Sequence, residues 1–242
     1  MRSRLLVTCL AVLSAAAFPA HAQEAGDPYA DGLLSGDYLR FGAGMVSPVH
    51  PQGSLRDWNR GQNYSLVYEN WAAGSTGLSS FAYGLSVDFN RLPLNERQFL
   101  ADFTPTTGTA ATSATASSAS IFSLGTNLRL RIPMQYIMPS IQFAFSYLDY
   151  RPATIHYTSP GGSGTASQQH RRGAAITLGG GLDKRLTSRL GVYGEALYTY
   201  GFTGLGQGIA SPGGNCAANG CDVLKNTTIG VIRGGLRVRM GR

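Results

Sequence analysis

From Phe81 to Asn90 the side chains alternate without a break. Phe81, Tyr83, Leu85, Val87 and Phe89 are large and apolar, whereas Ala82, Gly84, Ser86, Asp88 and Asn90 are small or polar. A period of two belongs to a β-strand with unlike faces, because successive Cβ atoms point to opposite sides. The stretch from Thr227 to Met240 repeats it. Ile232, Gly234, Leu236, Val238 and Met240 fall on one face, and Arg233, Gly235, Arg237 and Arg239 on the other. Two environments satisfy such strands. In a soluble sheet the apolar face meets a core; in a barrel that spans a bilayer it meets lipid, and the arginines point into the lumen.

Six further segments share the pattern. Tyr38 to Met45 sets Leu39, Phe41, Ala43 and Met45 against Arg40, Gly42 and Gly44, and Gln62 to Trp71 sets Tyr64, Leu66 and Tyr68 against Ser65, Val67 and Glu69. Ile121 to Ile132 places Phe122, Leu124, Leu128, Leu130 and Ile132 opposite Ser123, Gly125, Asn127, Arg129 and Arg131. A fifth strand turns Ile141, Phe143, Phe145 and Tyr147 away from Gln142, Ala144 and Ser146. Gly173 to Asp183 is glycine-rich with Ala174, Ile176, Leu178 and Leu182 in phase, and Leu190 to Phe202 sets Val192, Ala196, Tyr198, Tyr200 and Phe202 against Tyr193, Glu195 and Thr199.

The eight strands are joined by connections that run long, short, long, short, long, short, long. The long ones span 47–61, 91–120, 151–172 and 203–225. Such a meander has one rim of short turns and one rim of large loops, which a membrane barrel requires and a soluble sandwich does not. The second half of 91–120 reads TPTTGTAATSATASSAS and is too poor in large apolar residues to fold alone.

Composition is consistent with this reading. Only 14% of the residues are charged, there are 32 glycines, and no run of about 18 apolar residues follows the N-terminus. Residues 1–22 read as a signal peptide. Arg2 and Arg4 precede the apolar stretch Leu5 to Phe18, and Ala20-His21-Ala22 is an A-x-A cleavage site. Residues 23–36 form a periplasmic lead-in, and 37–242 the barrel domain. Removing Arg2 and Arg4 with no acid takes the formal net charge from +7 to +5. Spread over strands and loops, that charge makes no case for nucleic acid. Cys216 and Cys221 remain in the exported chain and are expected to close a small loop as a disulfide. A metal site is the alternative, though no histidine stands beside them.

At this point the chain resembles a known group. The signal peptide, the eight amphipathic strands and segments such as YLRFGAGMV, FAYGLSVDF and GVYGEALYTY are similar to the small outer-membrane β-barrels of the OmpA transmembrane-domain, OmpX and opacity-protein type. The resemblance is one of pattern and covers nearly the whole mature chain. It implies an all-β, eight-stranded, antiparallel up-and-down transmembrane barrel in the bacterial outer membrane. Its surroundings would be outer-membrane lipid and lipopolysaccharide. It also implies a terminal assembly signal, polar-x-Gly-x-x-apolar-x-apolar, read by the barrel assembly machinery; Arg233, Gly235, Val238 and Met240 fit that form. Gly241-Arg242 stands where the group carries a terminal aromatic.

An eight-stranded barrel encloses only enough space for side chains. The inward charges Arg40, Glu69, Asp88, Arg129, Arg131, Glu195, Arg233, Arg237 and Arg239 are therefore expected to pair as a lumen network. A register set by the loop near Ser54 puts Arg40 opposite Glu69, and one set near Asn215 puts Glu195 near Arg233. Closure of the last strand on the first brings Arg237 and Arg239 toward Arg40 and Glu69. The alternative to a structural network is a gated ion path. Tyr38, Tyr147, Tyr198 and Phe202 read as interfacial aromatics.

Signals of catalysis are weak. His50, His156 and His170 lie in long loops, and no His-x-Ser pair stands on a lipid-facing strand. The glycine-rich Gly201–Gly208 precedes no helix, so it is no phosphate loop. No catalytic residue, cofactor or metal is assigned. The expected function is structural or surface-interactive, adhesion- or opacity-like, with the long loops meeting an unknown extracellular partner and the barrel acting as a monomer. The alternatives are an outer-membrane lipid-modifying enzyme, a narrow ion or solute channel, and a soluble lipocalin-like barrel.

Overall fold

A computed structural model describes residues 36–49, 55–73, 80–107, 110–132, 134, 137–167, 170–203 and 225–240. Along the chain run β1 (Gly36–Pro48), β2 (Gly61–Ala73), β3 (Ser80–Leu92), helix α1 (Glu96–Thr107), β4 (Ser113–Ala116), β5 (Ala119–Arg131) and β6 (Met138–Arg151). These are followed by β7 (Ile155–Ser159), β8 (Gly162–Ala166), β9 (Arg171–Arg185), β10 (Leu190–Thr203) and β11 (Lys225–Met240). Eight of the strands close a barrel in the order β1-β11-β10-β9-β6-β5-β3-β2, and β4, β7 and β8 form a separate three-stranded sheet. All barrel pairings are antiparallel between successive barrel strands, with β11 returning to β1.

Alternation decides which side of each strand faces out. In β3 the outward set is Phe81, Tyr83, Leu85 and Phe89, with Leu85 56% exposed, while Ala82, Ser86 and Asn90 are buried. In β6 Ile141, Phe143, Phe145 and Tyr147 point out, Ile141 being 61% exposed, and Ser140, Gln142, Ala144 and Ser146 point in. β11 exposes Leu236 and Met240 and buries Arg233 and Arg237. This is a soluble protein turned inside out. Each large apolar side chain left in water forgoes roughly 1.5–3 kcal/mol, so a belt of them is stable only against hydrocarbon. Closure also leaves no strand edge with unpaired backbone groups, as a bilayer demands.

The end of β2 with the start of β3, the end of β5 with the start of β6, and the β9–β10 turn 186–189 share a rim with Gly36 and Met240, the two ends of the barrel sheet. The opposite rim carries the described stretches 55–60, 93–107, 110–118 and 152–167, with the end of β10 and the start of β11. Here the structure departs from the sequence reading. The serine- and threonine-rich stretch is not a bare connection, because α1 ends within it at Thr107, β4 lies inside it and β5 begins at Ala119. β4 pairs with β7 from another loop, Ser113 opposite Thr158 and Ala116 opposite Ile155. The hairpin β7–β8 turns at Gly162, whose φ of 126° is left-handed and suits glycine. A segment too poor in apolar residues to fold alone thus borrows its partner.

The described residues of 55–60, 93–118 and 152–167 form a cap with its own core. Leu55, Trp58, Phe99, Ala114, Ala153 and Ile155 are buried together, continuous with Val46, Ile121, Leu148 and Leu197 in the upper lumen. Phe103 packs between Phe99 and Tyr157, at centroid distances of 5.6 and 4.4 Å. Trp58 bridges to Leu94 through the backbone, and its indole Nε1 donates to the Tyr150 hydroxyl at 2.8 Å.

Candidate functional site

The lower lumen is built from inward positions of all eight barrel strands. Glu195 on β10 faces Arg233 on β11 directly across the ladder, and Arg233 Nε donates to Glu195 Oε1. The other carboxylate oxygen accepts from Arg40 Nη2 at 3.1 Å and from Arg129 Nη2 at 2.8 Å. Glu69 Oε1 accepts from Arg129 Nε at 2.9 Å and Asn127 Nδ2 at 3.3 Å, and Glu69 Oε2 from Trp71 Nε1 at 3.0 Å. Arg233 also reaches Asp88. Arg129 completes its fork on Ser140 Oγ at 3.1 Å and on Gln142.

Nearer the short turns, Asp183 is ringed by Arg40 at 3.8 Å, Arg131 at 3.7 Å and Arg237 at 3.8 Å. Three of the guanidinium groups lie over aromatic faces: Arg40 over Tyr193 at 3.8 Å, Arg131 over Trp71 at 3.7 Å and Arg237 over Tyr38 at 5.0 Å. Each charge has left water, so each needs opposite charge and hydrogen bonds close by. Five buried arginines meet the buried Glu69, Asp183 and Glu195 and the half-buried Asp88. A Cβ at Gly42 would collide with the Tyr193 hydroxyl, so glycine there makes the space in which Tyr193 covers Arg40.

Above this layer the lumen is mostly uncharged and polar, with Asp88 at its edge. Asn63 donates to Asn90 and Thr177 pairs with Thr199, each at 2.8 Å. A cavity of about 20 Å³ lies among Asn63, Ser86, Gln142 and Thr199, room for about one water molecule. Ile121, Leu148, Leu197, Ile229 and Val231 then close the lumen toward the cap.

The expected lumen charges come together with three differences. Arg40 stands opposite Val67, and Glu69 opposite Tyr38, so the β1–β2 register lies two residues from the expected one. Arg40 and Glu69 still meet, diagonally, at 3.5 Å. Arg237 lies opposite Arg40 but pairs with Asp183, not Glu69, and Arg239 lies opposite Tyr38 with no carboxylate partner among the described residues. Strand tilt is the reason: residues at one height come from different register positions, and a partner is supplied from across the barrel. Asp183 was not among the expected charges. Its parity carried the signal, since it is opposite in phase to Ala174, Ile176, Leu178 and Leu182.

Tyr38 is also a correction. It shares its face with Arg40 and is buried in the lumen beside Trp71 and Ala82, whereas Tyr147, Tyr198 and Phe202 are exposed on the outer face. In the terminal strand Arg233 points inward, Met240 is exposed, and Val238 is half-buried opposite Leu39. Gly235 lies so close to the Phe41 carbonyl that a Cβ would overlap it. Residues 1–22, nearly all of the lead-in 23–36, Cys216, Cys221 and His50 lie outside the described residues. His156 sits on β7 opposite Thr165. His170 Nε2 contacts Asp149 Oδ1 at the loop rim. Among the described residues no three His, Cys, Asp or Glu side chains gather as metal ligands.

No protein-family model matches the chain, and no curated protein sequence matches it. Among solved structures it is similar to Neisserial surface protein A, at 15% identity over 85% of this chain and 98% of that one, with a TM-score of 0.41. It is also similar to a major outer membrane protein of Thermus thermophilus, at 14% identity over 84% and 99% of the chains and a TM-score of 0.47. A third is the attachment invasion locus protein Ail of Yersinia pestis, at 14% identity over 84% and 97% and a TM-score of 0.37. The closed meander, its apolar exterior, ionic interior and sorted rims are this chain's own evidence. By that evidence the protein is a small, eight-stranded, up-and-down β-barrel of the bacterial outer membrane.

Proposed function

We propose that the protein is a surface-contact protein, in which the barrel is an anchor and the cap is the surface offered to a partner outside the cell. The observation that carries this reading is the cap's own core. Loops that merely joined strands would need no pairing between β4 and β7 and no buried cluster of Leu55, Trp58, Phe99 and Ile155. Ordering them costs conformational entropy, and a defined outer shape is what that cost secures. The test is to replace 96–116 and 155–166 with short turns and display both forms on a bacterium that lacks the protein. Cell aggregation and adhesion to immobilised matrix should fall while the heat-modifiable barrel band persists. Unchanged adhesion would overturn the reading.

Two observations bear on the alternatives. The ion cluster around Glu195 and the apolar plug above it oppose a channel, so planar bilayers containing the folded protein should show no stepwise conductance. Among the described residues the feature that favours lipid modification is the His170–Asp149 pair. A hydrolase would also need a nucleophile on the imidazole, and among the described residues no hydroxyl donates to it. His170→Ala should leave the lipid A mass spectrum of the host unchanged.

A further inference from the structure

We propose that Arg91, Arg151 and Arg172, with His170, form a binding site on the outer face of the barrel for the phosphate groups of an outer-leaflet lipid. The strand ladders place these side chains in one row. Arg91 on β3 lies opposite Ser120 on β5, Ser120 lies opposite Arg151 on β6, and Asp149, two residues before Arg151, lies opposite Arg172 on β9. Adjacent strands are about 4.8 Å apart, so Arg91 and Arg151 flank Ser120 at roughly 10 Å. Each belongs to the lipid-facing parity of its strand: Arg91 follows Phe89, Arg151 follows Tyr147, and Arg172 precedes Ala174 and Leu178. The row therefore stands at the loop-side end of the apolar belt, where hydrocarbon gives way to head groups.

Asp149 organises the row. It is buried, and it accepts from Arg151 Nε at 2.7 Å, from Arg172 Nε at 3.3 Å and from His170. Both arginines spend Nε on this one carboxylate, and no described residue takes their Nη groups. Their side chains are 66% and 60% exposed. The result is a pair of oriented guanidinium forks with outward donors, which suits bidentate recognition of phosphate. Counting His170 as neutral, three cations face one anion. The corresponding outward positions of β1, β2 and β10 carry Ser47, Gln62, Tyr200 and Phe202, without charge. The three arginines of the row stand on β3, β6 and β9.

Apolar contact below and oriented cations above specify an amphiphile with a phosphorylated head, in preference to a dissolved anion. The site is independent of what the cap contacts, because it faces the membrane. The experiment is native mass spectrometry of the full chain in detergent, titrated with bisphosphorylated lipid A, with the same lipid stripped of phosphate, and with inorganic phosphate as competitor. The bisphosphorylated lipid should be retained, and the stripped lipid should bind roughly tenfold more weakly or worse. Inorganic phosphate at equal concentration should not compete. The triple variant Arg91→Gln, Arg151→Gln, Arg172→Gln should behave toward the phosphorylated lipid as the wild type does toward the stripped one, while Arg185→Gln at the opposite rim should bind normally. Arg91→Gln alone breaks no ion pair among the described residues and should weaken binding by several-fold to roughly tenfold, which decides the matter if the triple variant fails to fold. Equal binding of both lipids, undiminished binding by the Arg variants, or full competition by inorganic phosphate would each overturn the proposal.

Discussion

The two ends of the lumen solve one problem with opposite chemistry. Toward the short turns the barrel is filled by arginines and carboxylates; toward the long loops it is filled by Ile121, Leu148, Leu197 and Val231, which run on into the cap. Long guanidinium side chains can reach across a lumen that a valine cannot, and their directional bonds tie strands that are not neighbours on the ladder. Glu195 joins β10 to β1, β5 and β11 at once. The apolar end tolerates many side chains of similar size, and it can merge with a domain above it. Order in the lower end therefore depends on particular partners, whereas order in the upper end depends on volume.

Substitutions can break this contrast or sharpen it. The largest effect is expected at Glu195→Gln, which leaves Arg40, Arg129 and Arg233 without their shared anion and should cost about 3–5 kcal/mol, measured as a drop in the urea midpoint of the barrel in lipid vesicles. If that midpoint did not move, the ionic end would not be the keystone of the barrel. Phe99→Ala removes a buried cap ring and should cost about 3–5 kcal/mol locally. Its readout differs: the loops should become open to protease while the heat-modifiable band is kept. Loss of that band would mean that cap and barrel fold as one unit.

Smaller changes test the layers between. Gly42→Val would force Tyr193 off Arg40 and should lower barrel stability by about 1–3 kcal/mol, seen in the same urea titration. Thr199→Val removes the hydrogen bond to Thr177 in the uncharged layer and should cost about 1 kcal/mol. Arg56→Ala breaks a surface pair with Asp102 at 2.6 Å, with side chains 54% and 29% exposed. A pair that exposed should contribute at most about 0.5 kcal/mol, so the protease sensitivity of the cap should scarcely change.

Strand parity was open to reading from the residues alone, because a bilayer imposes a period of two on every spanning strand, and β3, β5, β6 and β11 carry it almost without exception. The membrane setting follows from the same alternation together with the sorted loop lengths. Loop centres carry register only approximately: the centre near Asn215 brings Glu195 to Arg233, whereas the one near Ser54 lies two residues off for Arg40 and Glu69, which meet diagonally. The parity rule also contained the correct place of Tyr38 and Asp183, the first set aside in favour of its aromatic character, the second masked by a weak glycine-rich strand.

Which charges meet across the lumen was a tertiary matter. Arg237 finds Asp183, and Arg129 reaches both Glu69 and Glu195, because tilt and closure bring together positions far apart in sequence. The same holds for the cap, where β4 has no partner until β7 arrives from another loop, and for the outward arginine row, whose outermost members have two strands between them. Periodicity is a local property of a chain in contact with its solvent, and so it is written along the residues. Pairing across a closed surface depends on how that surface closes, and only the assembled barrel sets it.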